Sequence, residues 1–387
     1  MRHLLLTSVY ILLVELLYAQ PFQVGHRQQT FTDPSRANRQ ITCEVYYPAS
    51  TAGNNTPVAA GQFPILVFGH GFVMTWSAYD VFWLNLVPQG YIMVFPTTES
   101  SLSPSHLDFG KDIAFLCNAM KAEGQNSASP YFGAVDSRCA AMGHSMGGGA
   151  AFLAMQEDTS ITVLATFAAA VTSPSSVAAA QQIQKPAIVF AGANDCVTPP
   201  VNHQLPMYDS LASSCKTYIS VTGGSHCQFA SFNFNCYLGE GTCTPQPAIT
   251  ATVQQNTVFN LLLPWLNYYL KNDCPDGTQF QNLVNTGSGI TSLQNCSLNC
   301  TTGFAEDASK NKTFLVYPNP SSAEIHVVTD NKAAATTYMI CNYTGQTVKS
   351  GVLHPDQTID IRSLSSGMYL LILESGVKAT FTVVHEE

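Results

Sequence analysis

The pentapeptide Gly143-His144-Ser145-Met146-Gly147 constrains this chain more than any other feature. It follows Cys139-Ala140-Ala141-Met142, short and apolar enough for a strand. It precedes Gly148-Gly149-Ala150-Ala151-Phe152-Leu153-Ala154, small and apolar residues suited to a closely packed helix. A G-x-S-x-G sequence between strand and helix reads as a nucleophile elbow, a sharp turn that holds a serine hydroxyl above a sheet. Glycine on both flanks is required because the strained turn leaves no room for a Cβ near the neighbouring strand and helix. The pentapeptide alone also occurs by chance, so its flanks and its downstream partners decide its meaning.

With 387 residues, 46% hydrophobic and only 11% charged, the chain is long enough for one large domain and a small one with a sizeable core. Its formal net charge is −9 and Lys and Arg form no runs, which argues against nucleic acid as a partner. Residues 1–19 read as a secretory signal peptide: Met1-Arg2-His3, an apolar stretch from Leu4 to Leu17 interrupted by Glu15, then Tyr18-Ala19 before Gln20. That stretch is too short to span a bilayer, and no other segment has spanning length. Twelve cysteines fit an exported protein with disulfide bridges better than a reducing compartment. Cys236 and Cys243 flank a small loop, Cys117 and Cys139 bracket a helix-to-strand connection, and Cys274, Cys296 and Cys300 crowd one segment. A metal site would need a second matched pair beside Cys296-x3-Cys300 or Cys236-x6-Cys243; the sequence has none, so no metal is expected. With Cys341 set apart near the C-terminus, eleven cysteines remain, so one thiol is free or pairs elsewhere.

Apolar runs of buried-strand length alternate with helical stretches. Gln40 to Tyr47 is β-like, Phe63 to Phe68 is a buried strand, Ala78 to Val87 a helix, and Tyr91 to Phe95 a strand. Helix Leu107 to Lys121 precedes the elbow; strands Ile161 to Phe167, Pro186 to Ala191 and Lys216 to Val221 follow it. A long helix runs from Ala251 to Leu270, bent at Pro264. Strands apolar on both faces and separated by helices mean a mostly parallel sheet covered by helices, the α/β-hydrolase architecture. We expect this domain over 20–305, with no lid domain, since only a helix, a strand and a loop fit between Ser145 and Asp195. From Phe314 the chain turns Thr-, Val- and Tyr-rich in short alternating stretches, which predicts a small all-β sandwich over 306–387.

A serine needs a base to take its proton and an acid to orient that base. In this architecture the chain order is Ser, Asp or Glu, then His. Pro186 to Ala191 ends in Gly192-Ala193-Asn194-Asp195, fifty residues after the serine, and Thr222-Gly223-Gly224-Ser225-His226 places a histidine in a glycine loop after the next strand. All three lie where carboxyl ends of parallel strands converge. We therefore expect Ser145, Asp195 and His226 to act together. An Asp after a strand is otherwise a turn residue, and a His in a Gly loop otherwise plain polar surface. The oxyanion of acyl transfer needs two preorganised N–H donors. Met146, at the helix start, offers one and Phe72, after Gly69-His70-Gly71, the other.

Residues 40–275 resemble the cutinase and poly(ethylene terephthalate) hydrolase group, close to dienelactone-hydrolase-like esterases. The resemblance rests on Gly71-Phe72, Gly143 to Gly149, Asn194-Asp195, Leu205 to Ser210 and Gly223-Gly224-Ser225-His226. It implies the same triad, the same oxyanion pair, and no cofactor. It also suggests a disulfide between Cys196 and Cys227, each directly after a triad member, the alternative being two unrelated buried thiols. Two departures stand out. Polyester-degrading members usually carry a Trp on the loop after Ile161 to Phe167, where this chain reads Ala168-Ala169-Ala170-Val171-Thr172-Ser173-Pro174; Trp76 is a candidate replacement or else fills a surface crevice. The segment Gln228 to Thr250 is longer than usual and is expected to reshape one rim of the cleft.

The tail resembles the C-terminal sorting domain of proteins exported by the type IX secretion system, on Val316 to Ser321, Asn342 to Gln346 and Leu364 to Tyr369. The resemblance implies export across a bacterial outer membrane, with the secretion machinery as a partner. The expectation is a monomeric, secreted or cell-surface serine esterase with an open cleft lined by Phe72, Trp76 and Met146, acting on bulky or polymeric esters of cutin or polyester type, PET included. A short-chain carboxylesterase or lipase, a serine peptidase, an acyltransferase and a non-catalytic adhesin are the competing readings.

Overall fold

The computed structural model describes residues 22–298, 315–328, 336–342, 346–354, 358–373 and 378–385. The expected signal peptide, Cys300 and the 305/306 boundary lie outside them. The chain divides into two compact units, Met1–Cys300 and Thr301–Glu387. In chain order the first contains strands β1 (Gln23–Asp33), β2 (Arg39–Ala49), β3 (Gly53–Asn54) and β4 (Phe63–Gly69), helix α1 (Asp80–Leu86), β5 (Ile92–Pro96), α2 (His106–Gln125), β6 (Val135–His144), α3 (Met146–Glu157) and β7 (Val163–Phe167). Then come α4 (Ser176–Ala180), β8 (Ala187–Gly192), α5 (Gln204–Ser210), β9 (Lys216–Val221), α6 (Phe234–Glu240), α7 (Ala251–Lys271), α8 (Cys274–Thr286) and β10 (Ile290–Gln294).

These strands form one sheet in the order β10-β9-β8-β7-β6-β4-β5-β2-β1-β3. The run from β5 through β4 to β9 is parallel, and β2, β1 and β10 add antiparallel flanks. Every residue of β4, β7 and β8 is buried, as expected of central parallel strands covered on both faces. Along β4 the side chains alternate between two cores: Ile65 and Val67 join Ile113, Ala141 and Phe152 on one face. Leu66 and Phe68 join Phe82, Phe167 and Trp265 on the other. This is the mostly parallel α/β-hydrolase sheet that the apolar runs predict. Pro264 lies inside α7 without ending it.

The longest departure from the sequence reading is β1, a polar stretch not expected to be a strand. It pairs with β2 over its whole length, from Gln23 opposite Ala49 to Asp33 opposite Arg39. Cross-strand side-chain pairs replace apolar burial: His26 and Gln28 both reach Glu44, Thr30 meets Thr42, and Thr32 meets Gln40. At the start of β2, Arg39 grips the fully buried Asp112 of α2 at 2.9 and 2.8 Å, and the Thr98 hydroxyl bonds the same carboxylate at 2.6 Å. A buried charge survives only when paired and hydrogen-bonded in this way.

Four disulfides join described residues: Cys117–Cys139, Cys196–Cys243, Cys215–Cys296 and Cys227–Cys236. Cys274 is disulfide-bonded as well. Among the described residues of this unit Cys43 is the free thiol, buried in the sheet. The suggested Cys196–Cys227 bridge is not formed. Each of those cysteines instead pairs with one from the Gln228 to Thr250 insertion, so the acid and base loops are both tied to the insertion and not to each other.

The second unit has β11 (Leu315–Tyr317), β12 (Glu324–Val328), β13 (Thr336–Cys341), β14 (Thr347–Leu353), β15 (Thr358–Asp360), β16 (Gly367–Leu373) and β17 (Lys378–Val383). They form two antiparallel sheets, β11-β12-β15 and β14-β13-β16-β17, which share an apolar core of Ile325, Ile340, Ile361, Leu371 and Phe381. Among the described residues no helix is long and apolar enough to cross a membrane.

The Cys117–Cys139 bridge links α2 to the elbow strand across 22 residues. Closing a loop of that length in the unfolded chain is worth about 3 kcal/mol. The Cys117→Ala/Cys139→Ala variant should lose about that much stability in urea unfolding of the first unit, and an unchanged midpoint would show that the bridge adds nothing.

Candidate active site

Strand β6 runs into helix α3 through a single strained residue. Ser145 has φ 55° and ψ −119°, a conformation that a non-glycine side chain rarely adopts and that is held here from all sides. A Cβ on Gly143 would collide with the backbone of Gly147, one on Gly147 with the carbonyl of Gly69, and one on Gly149 with the carbonyl of Ala170. Only glycine lets the first turn of α3 sit directly against the ends of β4 and β6 and the loop after β7. The Ser145 N–H donates to the Phe167 carbonyl, and the Ser145 carbonyl accepts from Ala170 and Gly149. The residue as a whole is 8% exposed.

Fifty residues on, β8 delivers Asp195, and β9 delivers the loop with His226; both residues are buried. His226 Nδ1 lies 2.8 Å from Asp195 Oδ2. A carboxylate oxygen can only accept, so Nδ1 carries a proton, and in the neutral tautomer the free lone pair is on Nε2. The other carboxylate oxygen, Oδ1, accepts from the N–H groups of Val197 and Thr198, each at 2.8 Å. His144, the residue before Ser145, lays its ring 4.6 Å from that of His226. Among the described residues no hydrogen bond joins the Ser145 hydroxyl to His226; such contacts commonly close only around substrate.

Three residues that the sequence reading passed over hold this arrangement. The Thr198 hydroxyl lies 2.8 Å from Asp195 Oδ2 and 3.0 Å from His226 Nδ1. Gln204, buried at the start of α5, donates to the Ala169 carbonyl at 2.6 Å and to Thr198 Oγ1 at 3.2 Å. Gln254, buried on α7, clamps the residue before His226: its Oε1 accepts from Ser225 N at 2.8 Å and its Nε2 donates to Ser225 O at 2.9 Å. Thr198 carried a signal, since an Asp whose side chain caps its own loop draws on the residues two and three further on. The glutamines carried none, because each acts across the fold.

Phe72 and Met146 follow the ends of β4 and β6, where Gly69, the last residue of β4, is paired in register with Gly143, the last but one of β6. Phe72 is 46% exposed, Met146 is buried, and Trp76 is half-buried, packed among His26, Tyr46 and Trp83. The loop Ala168 to Pro174 is pinned by imidazoles rather than carrying an aromatic ring: Val171 N donates to His203 Nδ1 at 3.0 Å and Ser173 N to His106 Nδ1 at 3.2 Å.

A family profile described as PET hydrolase-like matches residues 21–241, more than half of the chain. The chain belongs to the PET hydrolase-like family. Among curated proteins it is similar to a bis(hydroxyethyl) terephthalate hydrolase of Streptomyces coelicolor (strain ATCC BAA-471 / A3(2) / M145), 27% identical over 187 residues. The match covers 47% of this chain and 54% of that protein, so the chain spans about half the length of the curated relative it matches. Residues 315–384 match the secretion system C-terminal sorting domain. That domain directs type IX secretion, so this PET hydrolase-like protein is secreted or held at the cell surface.

The long insertion of this PET hydrolase-like chain packs beside Asp195 and His226. Cys243 bonds to Cys196, next to Asp195, and Cys236 bonds to Cys227, next to His226. Asn235 Nδ2 donates to the Val73 carbonyl at 3.0 Å, next to Phe72, and Glu240, buried, accepts from Cys227 N. Ser231 bonds to Asp80 of α1 through its hydroxyl. On its outer side stand Phe232, 74% exposed, and Phe234, 64% exposed, with Tyr237 and Leu238 beside them.

Burial holds the imidazoles of His70 and His144 below the usual histidine range. Below a pH of about 6.5 the unfolded chain takes up protons at these sites that the folded chain does not. Stability is therefore complete above that value and lost as pH falls beneath it, by up to about 1.4 kcal/mol per pH unit for each histidine. Calorimetry should show a melting temperature that is flat just above neutrality and falls between about pH 6 and pH 5; a constant melting temperature across that span would contradict it.

Proposed function

We propose that this protein is a serine carboxylic-ester hydrolase working through an acyl-enzyme, with Ser145 as nucleophile, His226 as general base and Asp195 as the group that orients it. The observation that carries this reading is the 2.8 Å contact between His226 Nδ1 and Asp195 Oδ2, at the loop ends beside a serine held at φ 55°. With Nδ1–H committed to Asp195, Nε2 is the atom that takes the Ser145 proton as Oγ attacks the ester carbonyl. The N–H of Met146, at the start of α3, and that of Phe72 are the donors for the oxyanion. Collapse of that intermediate expels the alcohol with the proton from Nε2, and a water activated by the same nitrogen releases the acid.

The substrate is a bulky or polymeric ester with aromatic or long apolar parts, of the cutin or polyester class. Phe72 is open to solvent, and the insertion presents Phe232, Phe234, Tyr237 and Leu238 to solvent, with the Phe232 and Tyr237 rings 5.1 Å apart. Exposed rings on a segment bridged to the residues directly after Asp195 and His226 fit an apolar surface better than a small polar metabolite. The similarity to a protein named bis(hydroxyethyl) terephthalate hydrolase supports an aromatic diester in particular. Residues 20–305 would form the catalytic domain and 306–387 the sorting domain that hands the enzyme to the secretion machinery.

Ser145→Ala should lower p-nitrophenyl ester turnover by about four orders of magnitude or more and abolish labelling by a fluorophosphonate probe; turnover at the wild-type rate refutes the assignment. Phe232→Ser/Phe234→Ser should reduce product release from polyester film by about tenfold or more, the cost of uncovering one buried ring, with soluble ester turnover unchanged. An equal loss on both substrates would argue that the insertion supports the fold and not the substrate.

A further inference from the structure

Two buried polar side chains beside the site have no part in the chemistry just described. Tyr79 ends a 3-10 turn at Trp76–Tyr79, and His144 precedes the elbow serine; both are fully buried. The Gly71 N–H donates to Tyr79 Oη at 2.8 Å. Tyr79 Oη lies 3.0 Å from His144 Nδ1, and His144 Nε2 lies 3.1 Å from the carbonyl oxygen of His226.

Donor and acceptor chemistry leaves one way to order these contacts. A carbonyl only accepts, so His144 Nε2 carries the proton. Burial keeps the ring neutral, which makes Nδ1 an acceptor and Tyr79 its donor. Met74 Sδ, 3.3 Å from Oη, is a weaker acceptor for the same hydrogen. The polarity therefore runs from Gly71 N–H to Tyr79, from Tyr79 O–H to His144, and from His144 N–H to His226 C=O. A Cβ on Gly71 would lie 2.8 Å from Met74 Sδ, 3.1 Å from Tyr79 Oη and 3.3 Å from His144 Nδ1, so the three groups close around that backbone position. One end of the relay is the residue before Phe72; the other is the backbone of His226, which is also held through Ser225 by Gln254.

We infer that Tyr79 and His144 are positioning residues that set the placement of the oxyanion-side backbone at Phe72 relative to the base His226, through the elbow that carries Ser145. The inference rests on the roles proposed above for Ser145, Asp195 and His226. Neither residue touches the reacting atoms in this scheme; each orients a backbone that does. Preorganised donors lose their advantage when their spacing drifts, so breaking the relay lowers the chemical step while leaving substrate affinity intact.

The test compares the full chain with Tyr79→Phe, His144→Asn, the double variant and Ser145→Ala, measuring kcat, KM, fluorophosphonate labelling rate and melting temperature. Tyr79→Phe removes the hydroxyl alone, and His144→Asn keeps an acceptor for Tyr79 but loses the bond to His226. Each should lower kcat and labelling rate by about tenfold, the loss of one hydrogen bond, with KM within about twofold. The double variant should lose little more than the worse single one, because one break already uncouples the two ends. Tyr79→Phe with wild-type kcat and labelling, or losses that multiply in the double variant, would overturn the relay while the nucleophile assignment stands. Wild-type turnover by Ser145→Ala would overturn that assignment and the relay with it. Where a variant does not fold, ¹⁵N NMR of the unsubstituted protein decides: a neutral His144 protonated at Nε2 is expected at neutral pH, and an Nδ1-protonated or doubly protonated ring refutes the relay.

Discussion

At the elbow, the backbone of α3 lies against the backbone of β4 and β6 with no side chain between them. The Cα of Gly147 and the carbonyl of Gly69 occupy space that a Cβ would need, and Gly143 meets Gly147 in the same way. This contact forces Ser145 to φ 55° and brings the first N–H groups of a helix to the end of the central strands. The strain is local and of the order of 1–3 kcal/mol; the fully buried β4, β7 and β8, with an apolar core on each face, hold it in place. The other groups of the site are arranged relative to that one approach of backbone to backbone.

Around the elbow, buried polar groups hold each other. Asp195 is held by two backbone N–H groups and by Thr198, His226 by Asp195 on one side and by the Gln254 clamp on Ser225 behind it. Buried polar groups are expensive when unpaired and rigid when paired. Such a network specifies one geometry at the cost of tolerance to substitution. Gln204 shows the limit: its Nε2 is fully used while its buried Oε1 has no partner among the described residues.

The insertion works differently. It contributes few buried apolar residues of its own and is secured covalently, by bridges to the residues directly after Asp195 and His226. Loop segments with little core need such staples, and here the staples leave Phe232 and Phe234 free to face solvent. One element thus braces both loops of the site and carries exposed aromatic rings of its own.

The sequence by itself determined what local chemistry determines: the strand, turn and helix around Gly143 to Gly149, the apolar runs that become β4, β7, β8 and β9, the loop ends bearing Asp195 and His226, and the change to short alternating strands after residue 314. Each rests on residues adjacent in the chain, where spacing and side-chain type suffice. The tertiary structure alone decided the rest. The polar strand β1 forms because β2 offers it a full ladder of partners. Cysteine connectivity followed which loops approach one another in space, and so the expected Cys196–Cys227 bridge gave way to two bridges into the insertion. Gln204, Gln254 and Tyr79 matter through the groups they face across the fold, and a hydrogen bond between residues far apart in the chain leaves no periodicity to read.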